Sequence, residues 1–189
     1  MNRSWLLAGL AGLIGAGLLL VSCASIPKPE TESDTLVVGS FAVDYPDGFY
    51  NLPPRTLVSN IRLDFMNRST GKEFWVITDF DGRYSFLSSG GQSYELKSFA
   101  YDLRDGNTSF SGSSSISYRF YAPAHSVLYL GDIHFREEKP TQKTTVSRET
   151  YWTFTDSISR ADKSDEMKTY LQKAAKDTPW PSYVFVRAS

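Results

Sequence analysis

From Thr35 to its end the chain is written in short alternating runs, each closed by turn residues, and this period of two limits the possible folds more than any other feature. Successive side chains of a strand point to opposite faces, so alternation gives a segment one buried side and one wet side. In LVSNIRLDFMN (57–67), Ile61, Leu63 and Phe65 share one face and Arg62 and Asp64 the other. Comparable runs are TLVVGSFAV (35–43), KEFWVITD (72–79), RYSFLS (83–88), SYELKSFAYD (93–102) and ISYRFYAP (116–123). HSVLYLGDIHFRE (125–137), with Val127, Tyr129, Ile133 and Phe135 facing one way, TTVSRETYWTFTD (144–156) and SYVFVRA (182–188) complete the set. Between them stand turn signals: RSTG, a DG pair at 81–82 that marks a tight hairpin, and GGQ at 90–92. LRDGNTSFSGSSS (103–115) reads as a loop or a frayed hairpin. Eight or so strands in about 120 residues is the density of an antiparallel two-sheet β-sandwich, a mainly β fold.

One segment breaks the period. In SDEMKTYLQKAAKD, Met167, Tyr170, Leu171, Ala174 and Ala175 recur at helical spacing and form a single apolar stripe. The spacing predicts one C-terminal helix near 164–176, with Ser164 as N-cap. Asp165 and Glu166 suit the positive end of its dipole, and Lys173 and Lys176 the negative end. Pro179 and Pro181 forbid continuation. So short a helix is stable only if its stripe is docked, here on the sandwich.

Composition narrows the function classes. Among 189 residues, 4 Trp, 11 Tyr and 12 Phe supply ample area for a β-rich core. A net charge of −1 gives no electrostatic reason for a nucleic-acid partner. A single cysteine excludes an internal disulfide, and two histidines leave little for a metal cluster. No cofactor is implied.

The N-terminus follows other rules. Arg3 is followed by an uncharged apolar run from Trp5 to Val21, a little short of the ~20 residues of a membrane span. It ends in Leu20-Val21-Ser22-Cys23, which resembles the bacterial lipoprotein signal, or lipobox: an aliphatic residue three before the cysteine and a small one directly before it. The resemblance implies cleavage of a signal peptide, residues 1–22, and acylation (palmitate or a similar chain) of Cys23. A protein so modified is lipid-anchored to a membrane without a spanning helix. Ala24 after the cysteine resembles the outer-membrane sorting pattern. Residues 24–34, ASIPKPETESD, read as a flexible tether, so that 23–34 carries the anchor and 35–189 is the folded domain.

Within that domain, Thr78 to Asp102 resembles the repeat core of transthyretin-like modules, including the carboxypeptidase regulatory-like group. Thr78, Asp79, Gly82, Tyr84, Phe86, Gly91, Tyr94 and Leu96 match that pattern. The resemblance implies a transthyretin-like or immunoglobulin-like sandwich of the kind used as stalks, spacers and sugar binders. It carries no catalytic residues.

Candidate sites are few. Asp79-Phe80-Asp81-Gly82 imitates the start of a calcium loop but lacks a carboxylate at its end, so a turn is the better account. His134 shares a strand face with Asp132, a pair that could orient a general base, yet no nucleophile stands in a suitable context. Asn67-Arg68-Ser69 and Asn107-Thr108-Ser109 read as turns. The aromatics Trp75, Trp152, Trp180, Tyr50, Tyr101 and Tyr121 fall opposite the main apolar series or in loops, and exposed rings could stack on sugars or anchor protein contacts. Trp75, Trp152, Tyr101 and Tyr121 are the candidate ligand-binding residues; the competing expectation buries Trp75 and Trp152 in the core. The sequence therefore points to a non-enzymatic cell-envelope lipoprotein, anchored in the outer membrane through Cys23 and presenting its sandwich to an envelope protein. A carbohydrate-binding or adhesion module is the alternative.

Overall fold

Alternation settles which face each strand buries, and pairing settles which sheet it joins. The computed structural model describes the backbone of residues 26–45, 55–105, 108–146 and 149–188. Strand β1 (Asp34–Tyr45) is the spine of the first sheet, flanked on one side by β2 (Arg55–Leu57) and β5 (Arg83–Ser89) and on the other by β8 (Ser126–Val146). The far edge of β8 carries β10 (Val184–Arg187) and β9 (Glu149–Ala161). The second sheet runs β4 (Glu73–Ile77), β3 (Arg62–Asn67), β6 (Gln92–Asp105), β7 (Thr108–Ala122). The described residues form a mainly β protein with two facing sheets and, among them, a single α-helix near the C-terminus.

The core between the sheets is aromatic: Phe41, Phe65, Phe86, Tyr94, Phe99 and Phe135 lie buried with Leu63, Leu96, Leu128 and Ile133. Phe65 stands at its centre, with ring centroids 4.8 Å from Phe86 and 5.7 Å from Phe74. Helix α1 (Ser164–Ala174) covers the outer face of the first sheet. Met167, Leu171 and Ala175 pack there on Leu36, Val38, Val127 and Tyr129, closed at one end by Trp180. Trp180 also belongs to a short 3-10 turn that follows the helix.

Several expectations are corrected. The sheets are not both antiparallel: β8 runs parallel to β1 and to β10. Strands that leave and return through another layer can meet head to head, which a hairpin cannot do. The run 57–67 is interrupted by Asn60, whose φ of 58° breaks it into β2 and β3. The DG turn is a corner, not a hairpin: β4 pairs with β3 and β5 with β1, so residues 79–82 carry the chain from one sheet to the other. The same holds at Gly90-Gly91, between β5 and β6. A Cβ at Gly90 would lie 2.1 Å from the Ser33 carbonyl oxygen, so only glycine permits this crossing. Residues 103–105 and 108–115 are not a loop: they continue the antiparallel pairing of β6 and β7.

The single-face reading of 127–135 also fails. Val127 and Tyr129 lie under the helix, whereas Ile133 and Phe135 lie between the sheets. The register against β1 slips between Val38 and Ser40, opposite Gly131, whose φ is 98°. One inserted residue exchanges the two faces beyond it. Ser164 is the first helical residue rather than the cap; the carboxylate of Asp162 accepts its N–H at 3.0 Å.

Nor is the segment before β1 a free tether where it is described. Ile26 is buried in the helix-side cluster, and the Pro27 carbonyl accepts the indole N–H of Trp180. The Ser33 carbonyl then accepts from Gly90 and His125, tying the chain's entry to the two connections β5–β6 and β7–β8. This is the entry end. At the opposite end β8 and β9 continue past the last β1 partner, Arg136, as a ribbon of two strands, and β6 and β7 do so past Ala100, the last β3 partner.

Candidate functional site

The outer face of the second sheet is its wet side, and on it stand two of the four candidate rings. Trp75 on β4 is 57% exposed and Tyr121 on β7 is 58% exposed. The expectation that Trp75 is buried is thus overturned: alternation on β4 gives the core to Phe74 and Val76 and the solvent to Trp75. The Arg62 guanidinium lies 5.7 Å over the Trp75 ring and pairs with Asp64 at 2.7 Å. Together with Glu73, Lys97 and Ser98 these residues line a shallow hollow of about 260 Å³. Tyr121 is three strands away, at least about 14 Å at the usual strand spacing. The two rings do not form one stacking row.

Tyr101 is withdrawn from the surface. It is 6% exposed, stacks beside Phe99, and donates its hydroxyl to the Glu137 carboxylate at 3.0 Å. Alternation put it on the right parity for the wet face only if β6 were regular; the slip between Asp64 and Phe65 in the β3–β6 register reverses it. Trp180 is buried beneath the helix. Trp152 lies on β9 opposite Lys143, and its side chain is outside the described residues, as are Tyr50 and Cys23.

The histidine pair also divides. His134 faces Asp44, with Nδ1 3.5 Å from the carboxylate, while Asp132 belongs to another group. Its Oδ1 accepts the Tyr129 hydroxyl at 2.9 Å and its Oδ2 meets the Lys163 ammonium at 3.0 Å. The Tyr129 hydroxyl in turn accepts the Lys163 backbone N–H. Burial pushes the Asp132 carboxyl up, but bonds from Ser40, Lys163 and Tyr129 outweigh it and hold the group below its ordinary range. This constellation joins the helix start to the sheet. His125 stacks on Tyr183 with centroids 4.0 Å apart and fixes the entry segment through Glu32. Asp79 accepts the N–H groups of Asp81 and Arg83, which makes 79–82 a turn built by its own first residue.

Two features lay outside the sequence signals. Phe80, at the tip of that turn, is 86% exposed. The paired arms at the far end are longer than any alternating run implied. Among the described residues no helix is long and apolar enough to cross a membrane, and no group of three His, Cys, Asp or Glu could hold a metal ion. No family model, curated protein or solved structure matches the chain.

Proposed function

We propose that the protein is a bacterial cell-envelope lipoprotein, cleaved before Cys23 and acylated there, whose sandwich is held at the outer membrane to bind or assemble an envelope protein. The observation that carries the reading is the polarity of the molecule. The chain enters at one end, where Ser33 is bonded to both neighbouring connections, and the β6–β7 and β8–β9 arms leave at the other. Because Ile26 is docked, only two residues, Ala24 and Ser25, separate the fold from Cys23, a reach of about 10 Å over three Cα steps. An anchored body would thus stand close to the bilayer with its arms outward. The transthyretin-like pattern is consistent with such a spacer: Tyr84, Phe86, Tyr94 and Leu96 all supply core, and Thr78, Asp79, Gly82 and Gly91 make the turns.

Mass spectrometry of the mature chain from its native envelope tests the anchor. The expected N-terminus is Cys23 carrying acyl groups; a different N-terminus or a bare thiol there sinks the proposal. Crosslinkers placed in the arms are expected to capture an envelope protein that crosslinkers at the entry end miss.

A second reading, a carbohydrate-binding or adhesion module, draws on the Trp75 hollow, where one ring lies among Arg62, Asp64 and Lys97. Quenching of tryptophan emission by envelope glycans, lost in Trp75→Ala, would favour it.

A further inference from the structure

Strand β4 is an edge of the second sheet, and among the described residues no strand pairs with its outer side. Its pairing with β3 is regular from Met66 opposite Glu73 to Arg62 opposite Ile77. At one end the Lys72 carbonyl accepts the Asn67 N–H at 2.8 Å, and at the other the Thr78 N–H donates to the Ile61 carbonyl at 3.0 Å. Bonded positions alternate along an antiparallel ladder. Lys72, Phe74, Val76 and Thr78 therefore turn their backbone groups to β3, and Glu73, Trp75 and Ile77 turn theirs outward. The side chains of these last three are exposed as well. Edges are commonly blunted by a proline, a bulge or a charge pointing inward, and β4 has none of these.

The same strand is complementary to itself. Two antiparallel copies related by a two-fold axis set residues of like face opposite one another, so the pairing centres on one residue. Centred on Trp75, it sets Glu73 of one copy opposite Ile77 of the other and Phe74 opposite Val76. Every outward N–H and C=O of Glu73, Trp75 and Ile77 is then bonded, Phe74 and Val76 extend the apolar inner face, and the two Trp75 rings meet on the outer face. Ile77 stands beside Arg62 of its own copy, so each Glu73 carboxylate approaches an opposite charge. Other centres do worse. Glu73 at the centre opposes two carboxylates, and Ile77 at the centre carries the pairing past the ends of both strands. Phe74 or Val76 at the centre leaves Ile77 or Glu73 facing Gly71 or Asp79, whose N–H groups are already bonded within the fold.

We infer that two copies of this chain associate through β4, joining their four-stranded sheets edge to edge about a two-fold axis at Trp75. The contact involves neither Cys23 nor the arms, so it stands or falls separately from the anchor and from any partner the arms hold.

The test is oxidative crosslinking of the full chain in detergent, in a Cys23→Ser background that leaves each introduced thiol without a native competitor. Opposed residues of a bonded pair have Cα atoms about 5.5 Å apart, within disulfide reach. Trp75→Cys is expected to give a reducible species of twice the chain mass, and so is Glu73→Cys/Ile77→Cys, which keeps the tryptophan. Lys97→Cys, on the same face but two strands inward on β6, is expected to remain single. Sedimentation equilibrium should show a dimer, weakened at least tenfold by Trp75→Lys, which sets like charges on the axis, and by Ile77→Pro, which removes an outward N–H and spares the β3 ladder. If Ile77→Pro does not fold, Trp75→Lys, at an exposed position, decides the matter. A monomer at every concentration, a dimer indifferent to Trp75→Lys, or equal crosslinking in Lys97→Cys overturns the inference. So does a Trp75→Cys species formed in whole envelopes with a different protein and none with itself, which assigns the edge to that protein.

Discussion

Single polar atoms inside this sandwich differ in whether they are answered, and stability should follow that difference. The Tyr84 hydroxyl is buried with no hydrogen-bond partner among the described residues, and burial first, then the neighbouring Tyr118, Tyr129 and Asp132, pushes its pKa up. A buried hydroxyl left unpaired costs about 1–3 kcal/mol. Tyr84→Phe is therefore expected to leave stability unchanged or raise it by up to about 1 kcal/mol in urea unfolding, and a clear loss would show that the hydroxyl is satisfied. Asp132 is the opposite case. Tyr129 and Lys163 both reach its carboxylate, so Asp132→Asn should cost about 1–3 kcal/mol. The pH dependence has a definite sign. A carboxyl held below its ordinary value of 3.8 in the folded state contributes stability that is complete above that value and is lost as the pH falls below it. Acid unfolding below pH 3.8 should accordingly be less steep in Asp132→Asn than in the wild type.

At the level of elements, the helix and the strands were legible to different degrees, for physical reasons. The α1 stripe was legible because a period of 3.6 survives without knowledge of the partner: Met167, Leu171 and Ala175 are the buried positions. Leu171→Ala should cost about 2–4 kcal/mol by thermal unfolding, whereas a change at the exposed Ala174 should move stability by less than about 0.5 kcal/mol. Strand existence was legible too, since alternation is local. What alternation cannot report is a slip of one residue. At Gly131 the inserted residue sent Ile133 and Phe135 to the opposite face from Val127 and Tyr129, and on β6 a similar slip buried Tyr101. Sheet membership was hidden for a related reason. A turn sequence fixes the local backbone at Asp79–Gly82, not whether the next strand pairs with the last one. Parity alone places Trp75 on the wet face of its strand, and only the general preference of large rings for cores points the other way.

For the whole molecule, the arms are the feature whose removal best separates folding from function. From Lys139 to Val146, β8 pairs with β9 and with no other described strand, a ribbon extending roughly 25 Å beyond the sheets. Two-stranded ribbons are marginally stable alone, so the fold gains little from this one. Replacing residues 139–155 by a two-residue Asn-Gly turn should therefore leave the melting temperature within a few degrees of the wild type. Keeping Glu137 retains the bond from Tyr101 that joins the bases of the two arms. If the arms carry the contact with a partner, the shortened chain should still be acylated and sediment with membranes, yet lose its crosslinks to envelope proteins. Retained crosslinks would move the contact surface to the sheet faces, where Trp75 and its hollow become the next position to change. A large drop in melting temperature would instead make the ribbon part of the fold's own support.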